Sequence, residues 1–334
     1  MISTQAQLQV QLIGARILKC FKPSLIGTGI TAILLAVISG TVVAEGSVEL
    51  PAGGLAFAAN PSITIEQQDL VIGSTSIALT YALRHAAQSQ QSIVVTFSLP
   101  ELDASALADG EVTLPSAEPS NYIQFALKVD GQAPAVKVEQ RAIALGLDVS
   151  ITLTAAGIPL FPFGMTSASK LSDLSAADRL DLLERGILKE DGSAVVAAWT
   201  LKTVAYWRQT FAPGQTITIA HSYRPISSAA PHRPEALPGL RKRFCLNATQ
   251  EVSITKLPVE GGVAPTATSI AYLATTGADQ LGPARRFRML IETNDQLTIV
   301  AMCRDGLKRT GPMQLEWTGT EHTLDEDIHI LFVR

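Results

Sequence analysis

Cysteine, aromatic residues and recognisable catalytic motifs are all scarce in this sequence. Of its 334 residues, 3 are cysteine and 5% are aromatic. There is no Gly-x-Ser-x-Gly elbow, no phosphate-binding loop and no dinucleotide fingerprint. Neither a Cys-x-x-Cys nor a His-x-x-x-His spacing occurs, and no repeat or low-complexity tract is present. The sequence therefore lacks the usual signatures of serine hydrolases, nucleotide-dependent enzymes, zinc sites and solenoids.

Acidic residues are missing from the first 44 positions, where the charges are Arg16, Lys19 and Lys22. An apolar, uncharged run of 16 residues, Leu25–Gly40, follows, and small residues lead up to Ala44. A basic segment, an apolar segment and a small residue at a cleavage point are typical of a secretory signal. We predict a signal peptide over residues 1–44, cleaved near Ala44. The apolar run is shorter than the roughly 20 residues of a membrane span, and an uncleaved signal anchor is the alternative.

Export would place the mature chain outside the cytoplasm, in the periplasm or secreted. Removal of residues 1–44 leaves 23 basic and 30 acidic residues, a net charge of −7. A mildly acidic protein does not suit sequence-independent binding of nucleic acid, which depends on neutralising phosphates. The chain is 47% hydrophobic and long enough to bury a core without metals. We therefore predict no cofactor, no metal and no nucleic-acid partner, with membrane contact only through an uncleaved signal.

Two cysteines, Cys245 and Cys303, remain after cleavage, because Cys20 lies inside the predicted signal. In an oxidising compartment such a pair tends to form a disulfide. Closing this 58-residue loop would stabilise the fold by roughly 4 kcal/mol in the chain-entropy model. A zinc site is the alternative, but it would need further ligands. Cys303 continues an apolar alternation that starts at Leu297, so we expect the disulfide to be buried.

Alternation of apolar and polar residues dominates positions 45–334 and predicts β-strands. The alternating runs include Ile77–Leu83, Val95–Leu99, Phe125–Val129, Val149–Leu153, Ile217–Tyr223, Phe287–Ile291 and Ile328–Phe332. Asp130-Gly131 is a turn dipeptide, which predicts a hairpin that continues into Val136–Val138. Leu331 and Val333 occupy the second face of the last run, so we expect that strand to be covered on both sides.

One segment departs from the strand pattern. Ser175 and Asp178 form a capping-box variant, and Leu180 and Leu183 follow at helical spacing before Gly186. This pattern predicts a short helix over residues 175–185. The fold class is therefore mainly β, with two antiparallel β-sandwich-like regions joined by a short helix and preceded by a signal peptide.

Length and pattern together suggest a division of the chain. We expect a signal peptide at 1–44, an N-terminal β domain at 45–165, a helical connector at 166–198 and a C-terminal β domain with the disulfide at 199–334.

The sequence resembles the bacterial domain-of-unknown-function family 4424 (DUF4424), whose members are exported to the envelope. The resemblance rests on Ser47–Leu55, Val138–Val149, Gly157–Leu160, Tyr206–Gly214 and His221–Pro225. Within these stretches the distinctive motif is an aromatic-Trp pair at Trp207, then Phe211, Pro213 and Gly214, and then His221, Tyr223 and Pro225. Both cysteines also lie where the family tends to have them. The resemblance implies export and a β-rich fold, and it implies no established activity.

His221 is the most tempting catalytic candidate in this motif, as a ligand or a general base. Because it alternates with Ile217 and Ile219, we expect it to be structural and buried beside Tyr223. Phe211–Gly214 has Pro and Gly in the central positions of a type II turn, which predicts a purely structural role. Trp207, like Trp199, is expected to be a core or inter-domain anchor, the alternative being a sugar-stacking platform.

These observations favour an exported, non-enzymatic β-sandwich binding or assembly module that acts on an unknown envelope protein or polymer. The alternative is a secreted hydrolase of an envelope or storage polymer. It would need converging acids, and the candidates are Asp69, Asp130, Glu139 and Asp148. Two small basic clusters at 241–243 and 285–288 are expected to be solvated strand ends, or else to bind an anionic polymer.

Overall fold

Strands are the commonest regular structure among the described residues, and the helices there are few and short. The computed structural model describes residues 49–107, 113–227, 229–232, 234–257, 264–274 and 281–334. The strands are β1 (Glu49–Leu50), β2 (Ala52–Gly53), β3 (Ala56–Phe57), β4 (Ile63–Gly73), β5 (Ile77–His85), β6 (Gln91–Ser98), β7 (Leu102–Asp103), β8 (Ala126–Val129), β9 (Lys137–Ala144), β10 (Leu147–Asp148), β11 (Leu188–Asp191), β12 (Ala194–Ala197), β13 (Thr200–Phe211), β14 (Thr216–Tyr223), β15 (Ile226–Ser227), β16 (Ala229–Pro231), β17 (Thr266–Leu273), β18 (Ala284–Glu292), β19 (Ile299–Ala301), β20 (Lys308–Gly311), β21 (Gln314–His322) and β22 (Ile328–Val333). The helices are α1 (Ala104–Leu107), α2 (Ser150–Ala155), α3 (Gly164–Ser172), α4 (Ala176–Glu184), α5 (Leu237–Phe244) and α6 (Ala248–Thr255), with a 3-10 turn at Pro234–Ala236. The mainly β class is confirmed.

The largest sheet has seven strands in the order β20-β21-β18-β4-β5-β14-β8. Its neighbours are antiparallel except β18 and β4, which run parallel with Phe287 opposite Gln68. Period-two alternation puts one face of β5 inside, where Ile77, Tyr81 and Leu83 are fully buried. The predicted alternation in β5 is therefore confirmed.

Two further sheets share the core with this one. A six-stranded sheet runs β10-β9-β13-β6-β3, with β7 paired to β13, and a five-stranded sheet runs β16-β17-β22-β19, with β2 paired to β17. Their inward side chains, such as Phe97, Trp207 and Tyr272, join those of the seven-stranded sheet in one hydrophobic cluster. Burying each large apolar side chain contributes about 1.5–3 kcal/mol, so this cluster is the main source of stability.

The last strand, β22, is covered on both faces, as predicted. Ile328 and Ile330 belong to the large cluster. Leu331 and Val333 point the other way and pack with Phe244 of α5 in a second cluster. Helices α5 and α6 therefore form the outer cover of this strand.

The expected division at 165 and 199 does not match the sheets. In the seven-stranded sheet, β4 and β5 precede residue 165, but β14, β18 and β21 follow residue 199. The six-stranded sheet likewise pairs β13 with β6 and β9. The described residues form one compact unit, because long-range strand pairing interleaves the two halves.

The segment 166–198 is helical only in part. Helix α4 confirms the predicted short helix, and the hydroxyl of Ser175 accepts a hydrogen bond from the backbone N–H of Asp178 as an N-cap. The residues that follow form a hairpin of β11 and β12. Helices α2 and α3 precede α4, so the helical region begins earlier than expected.

The strand predicted at Val149–Leu153 is wrong, because these residues belong to α2 or its N-terminal boundary. Val149 and Leu153 are buried four residues apart on one face, while Ile151 is 86% exposed. This is the spacing of a helix face, which a short run of alternating residues also satisfies. Asp148 starts the turn by accepting a hydrogen bond from the Ser150 amide.

The hairpin predicted around Asp130-Gly131 is also corrected. Both residues have positive φ, and the turn is closed by hydrogen bonds between Val129 and Gln132. The flanking strands do not pair with each other, however, because β8 pairs with β14 and β9 pairs with β13. The dipeptide therefore makes the turn but connects two different sheets.

Candidate functional site

The family motif around His221 lies in the core of the protein. His221 is 3% exposed on β14, and its ring is stacked between the rings of Tyr81 and Tyr223, with centroids 6.0 and 6.5 Å away. The ring centroids of Phe97 and Phe125 lie 5.5 and 5.9 Å from that of His221. The placement predicted for His221, buried beside Tyr223, is confirmed.

Among the residues that the structure describes, neither ring nitrogen of His221 has a hydrogen-bond partner. Burial lowers the pKa of His221 to about 3, because the charged imidazolium would lose its hydration without gaining a partner. A general base needs a reacting proton within hydrogen-bond reach, and here the ring faces aromatic side chains. The arrangement suits a neutral core histidine and no catalytic step.

Three tyrosines surround the same region. The hydroxyl of Tyr223 donates to the carbonyl of Ala52 at 3.0 Å. Burial raises the pKa of Tyr81, Tyr223 and Tyr272, and the backbone of Leu55 and the hydroxyl of Tyr272 oppose this shift at Tyr81. All three therefore stay neutral and act as packing groups.

Of the remaining motif residues, Trp207 and Phe211 pack in the core, and Pro213 and Gly214 form a turn. Phe211 is fully buried and Trp207 is 4% exposed, which does not fit a sugar-stacking platform. Pro213 precedes Gly214, whose φ is +66°, and the amide of Gln215 donates to the carbonyl of Ala212 across the turn. This is type II geometry between β13 and β14. Pro225 separates β14 from β15.

Cys245 and Cys303 form the predicted disulfide, with Cα atoms 5.0 Å apart. The expectation that it is buried is wrong, because both cysteines are exposed. Strand β19 ends at Ala301, two residues before Cys303, and Leu297 is 72% exposed, so the alternation does not continue to the cysteine. Cys245 ends α5 with a left-handed backbone, at a φ of 52°.

Beside the disulfide lies an open groove with a volume of about 830 Å³, here called the disulfide groove. It is lined by Cys245, Asn247, Thr249, Gln250, Ser253, Gln296, Leu297, Thr298, Ile299, Val300, Met302, Cys303, Arg304, Asp305, Leu307, Arg309 and Leu315. Amide and hydroxyl side chains predominate among the polar groups, with two arginines against one acid. The lining therefore carries hydrogen-bonding groups and a small excess of positive charge.

Helix α6 supplies one wall of the groove through a capping box. The side chain of Asn247 accepts from the amide of Gln250 at 2.9 Å, and the side chain of Gln250 accepts from the amide of Asn247 at 3.0 Å. The Nε2 of Gln250 also donates to the carbonyl of Val300 on β19 at 2.8 Å. The sequence analysis missed this helix, although Asn-x-x-Gln is a recognisable capping signal.

Arg304 also lines the groove. Its guanidinium lies over the ring of Trp317, 4.2 Å from the ring centroid, and near His322 at 3.5 Å. Cation–π stacking fixes the plane of the guanidinium and leaves its edges to donate hydrogen bonds. Arg309 donates to the carbonyl of Pro312.

The candidate acids of a hydrolase lie in separate places, apart from Glu139 and Asp148, which share one arginine. Asp69 accepts from the side chain of Gln67, and Asp130 accepts from the amide of Thr218. Glu139 and Asp148 both flank Arg141 on an exposed surface. In the described part of the chain, no group of three or more His, Cys, Asp or Glu side chains could hold a metal ion.

The basic cluster at 241–243 is not a strand end as expected, because it forms the last turn of helix α5, whereas the cluster at 285–288 lies in the first part of β18. Both clusters contact nearby side chains. Arg285 pairs with Glu66 at 3.1 Å and Arg288 with Glu316 at 2.8 Å. In the other cluster, Arg241 pairs with Glu251, which links α5 to α6. These pairs favour local structure over a binding role for both clusters.

The predicted signal peptide and its cleavage point at Ala44 lie outside the described residues. Within the described ranges, no helix has both the length and the apolar character needed to span a bilayer.

Comparison with known proteins places the chain in a family. Among solved structures, it is similar to a Legionella pneumophila protein provisionally described as nutrient binding, with 10% identity, a TM-score of 0.44, and coverage of 86% of this chain and 72% of that one. It is also similar to an M1 zinc metallopeptidase of Deinococcus radiodurans, with 10% identity, a TM-score of 0.27, and coverage of 82% and 43%. No curated protein matches the sequence. The profile of a domain of unknown function, DUF4424, matches residues 44–331, and the chain belongs to this family.

Proposed function

We propose that the protein is an exported, non-enzymatic binding module of the bacterial envelope and that the disulfide groove takes its ligand. The observation that carries this proposal is the lining of the groove, which combines neutral hydrogen-bonding side chains with Arg304 and Arg309. Pockets of several hundred Å³ with a few converging polar groups are typical ligand sites.

The chemistry of the lining favours a polymer that carries both hydroxyl groups and acidic groups. The side-chain hydroxyls of α6 that line the groove, those of Thr249 and Ser253, match sugar hydroxyls, which both donate and accept hydrogen bonds. Guanidinium groups bind carboxylates through charge-assisted hydrogen bonds. An acidic saccharide polymer of the envelope meets both requirements.

Binding is tested with a purified oligogalacturonate, which is acidic, and with maltohexaose, which is neutral. We expect the acidic oligosaccharide to bind more tightly in a calorimetric titration. Arg309→Gln should weaken that binding by about tenfold, because a hydrogen bond to a charged group contributes about 1.5–3 kcal/mol. Arg84→Gln, at an exposed residue of β5 outside the groove, is the matched control and should leave the affinity unchanged. Equal affinity for the two sugars, or equal loss in both variants, would contradict the proposed ligand.

Export is tested separately. N-terminal sequencing of protein from the envelope fraction should give a start near Glu45, after the small residues that end at Ala44. A species that still carries Leu25–Gly40 would show that the segment is retained as an anchor.

A further inference from the structure

The disulfide is placed as a reactive bond would be. Both of its cysteines are exposed, and both line the open disulfide groove. Thiol–disulfide exchange requires an attacking thiolate to reach one of the sulfurs, so access is its first condition. Stabilisation of the fold by a disulfide does not require solvent access to its sulfurs, whereas exchange does.

Basic residues adjoin both cysteines in the sequence. Lys242 and Arg243 occupy the turn of α5 just before Cys245, and Arg304 directly follows Cys303. The Sγ of Cys303 lies 3.5 Å from the carbonyl of Arg243, so the two segments are in contact. Nearby cations stabilise thiolates, which makes a cysteine a better leaving group and favours the reduced form.

The fold anchors the residues that flank each cysteine. Phe244 and Leu246, on either side of Cys245, are buried against Leu331 and Val333 of β22. On the other side, Arg304 is held on the ring of Trp317. Cleavage of the S–S bond would therefore leave the two thiols near each other, so that the bond can form again.

We propose that Cys245–Cys303 is a thiol-exchange site that a protein dithiol reduces, and that its redox state controls the disulfide groove. A thiolate of the dithiol attacks one sulfur of the pair, the S–S bond breaks, and the other cysteine leaves as a thiolate that takes up a proton. The second thiol of the donor then attacks the mixed disulfide, releases the second cysteine and closes a disulfide in the donor. Two electrons pass from the donor to Cys245 and Cys303. The part of the proposal that concerns ligand control rests on the function proposed above.

Accessibility is tested on the full, folded protein without denaturant. The protein is incubated with increasing dithiothreitol, and with reduced thioredoxin as a protein dithiol, then alkylated and analysed by mass spectrometry. We expect Cys245 and Cys303 both to be labelled while the far-UV circular dichroism stays unchanged. A bond that resists reduction until the protein is unfolded in urea would overturn the proposal.

Single-cysteine variants identify the exchange intermediate. In Cys245→Ser and in Cys303→Ser, the remaining exposed thiol should form a mixed disulfide with oxidised glutathione in the folded state. Failure of both to react would refute an accessible exchange site. Should either variant misfold, the dithiothreitol experiment on the unaltered protein still decides the question.

Control of the groove is measured without a ligand. Hydrogen exchange of the backbone over residues 299–307 should accelerate at least threefold on reduction, while β5, far along the sequence in the seven-stranded sheet, should not change. Equal exchange rates in both redox states would refute control of the groove. If reduction opens the groove but oligogalacturonate binds neither form, the proposed ligand is wrong and the exchange site stands.

Discussion

At the scale of single residues, His221 is an ionisable side chain that lies in an apolar environment. Its imidazole, whose two nitrogens have no partner in the described part of the chain, is enclosed by aromatic rings, and burial lowers its pKa from 6.5 to about 3. As the pH falls below 6.5, the unfolded chain binds a proton at this residue but the folded protein does not. Stability is therefore lost from pH 6.5 down to about 3, and this residue contributes no pH dependence above 6.5.

His221→Leu should remove this acid sensitivity. Between pH 6 and pH 4, the free energy of unfolding of the variant should fall less steeply, by about 1.4 kcal/mol per pH unit. Urea denaturation at several pH values measures the slope. Tyr223→Phe on the same strand is the control, since it loses one hydrogen bond, worth about 1 kcal/mol at every pH. Parallel curves for His221→Leu and the unaltered protein would show that the histidine is already charged.

Gly54 is a second residue fixed by its surroundings. A Cβ atom at this position would lie 2.5 Å from the hydroxyl oxygen of Tyr81 and 2.8 Å from that of Tyr272. Neither ring can swing aside, because both tyrosines are buried in the core. The constraint is steric, and the backbone angles are not the reason for a glycine here.

Gly54→Ala should therefore destabilise the protein by about 1–3 kcal/mol, the usual cost of overpacking. Adding Tyr81→Phe should recover part of the loss, because it removes the nearer oxygen. Gly239→Ala in α5 is the control, since nothing lies within 4 Å of its Cβ and alanine favours helix. Chemical denaturation of the four proteins checks this, and a double variant no better than the single one would contradict the steric explanation.

At the scale of elements, Gln250 closes the edge of a sheet. Strand β19 is an edge strand, paired only with β22 in its sheet among the described residues. The side chain of Gln250 donates to the carbonyl of Val300 and also completes the capping box of α6. Edge carbonyls without partners are templates for pairing with other chains, so this contact both stabilises the helix and protects the strand.

Gln250→Ala should lower the free energy of unfolding by about 1–2 kcal/mol, through loss of the cap and of the bond to Val300. Thiol-independent aggregation, followed by light scattering at raised temperature, should also increase. Thr249→Ala, the adjacent residue of α6 in the same groove, is the matched control. If the two variants unfold at the same urea concentration, the side chain of Gln250 does not hold the edge.

The sequence predicted correctly those strands and helices that are determined by the residue pattern of one short segment. Alternation found β5, β14 and both faces of β22, and the Ser175 cap found α4, because each pattern reflects one strand or one helix turn. Alternation gave the wrong element at Val149–Leu153, because a run of five residues fits both the two-residue period of a strand and the four-residue spacing of a helix face. The pairing of the cysteines could be predicted because two cysteines remain after the predicted signal. The exposure of the disulfide could not be predicted, because it depends on where β19 ends. The groove escaped notice since it joins α6 to segments about 50 residues further along.

At the scale of the whole molecule, the interleaved sheets determine how the protein unfolds. A chain cut at the expected boundaries would separate β4 from β18 and β5 from β14, and it would remove β13 from between β6 and β9. Each half would then expose long unpaired strands and much of the shared hydrophobic cluster. Neither half holds a complete core.

The protein should therefore unfold in one cooperative transition, and a fragment of residues 45–165 alone should not fold. Tryptophan fluorescence and far-UV circular dichroism in urea should give the same midpoint, because Trp199, Trp207 and Trp317 lie in different regions of one structure. The indole of Trp199 donates to the carbonyl of Leu160 at 2.8 Å, which ties the helical region to β13 and keeps it within the same transition. Two separated midpoints would show that the helical cluster melts on its own, and well-dispersed NMR signals from the 45–165 fragment would show an independent domain.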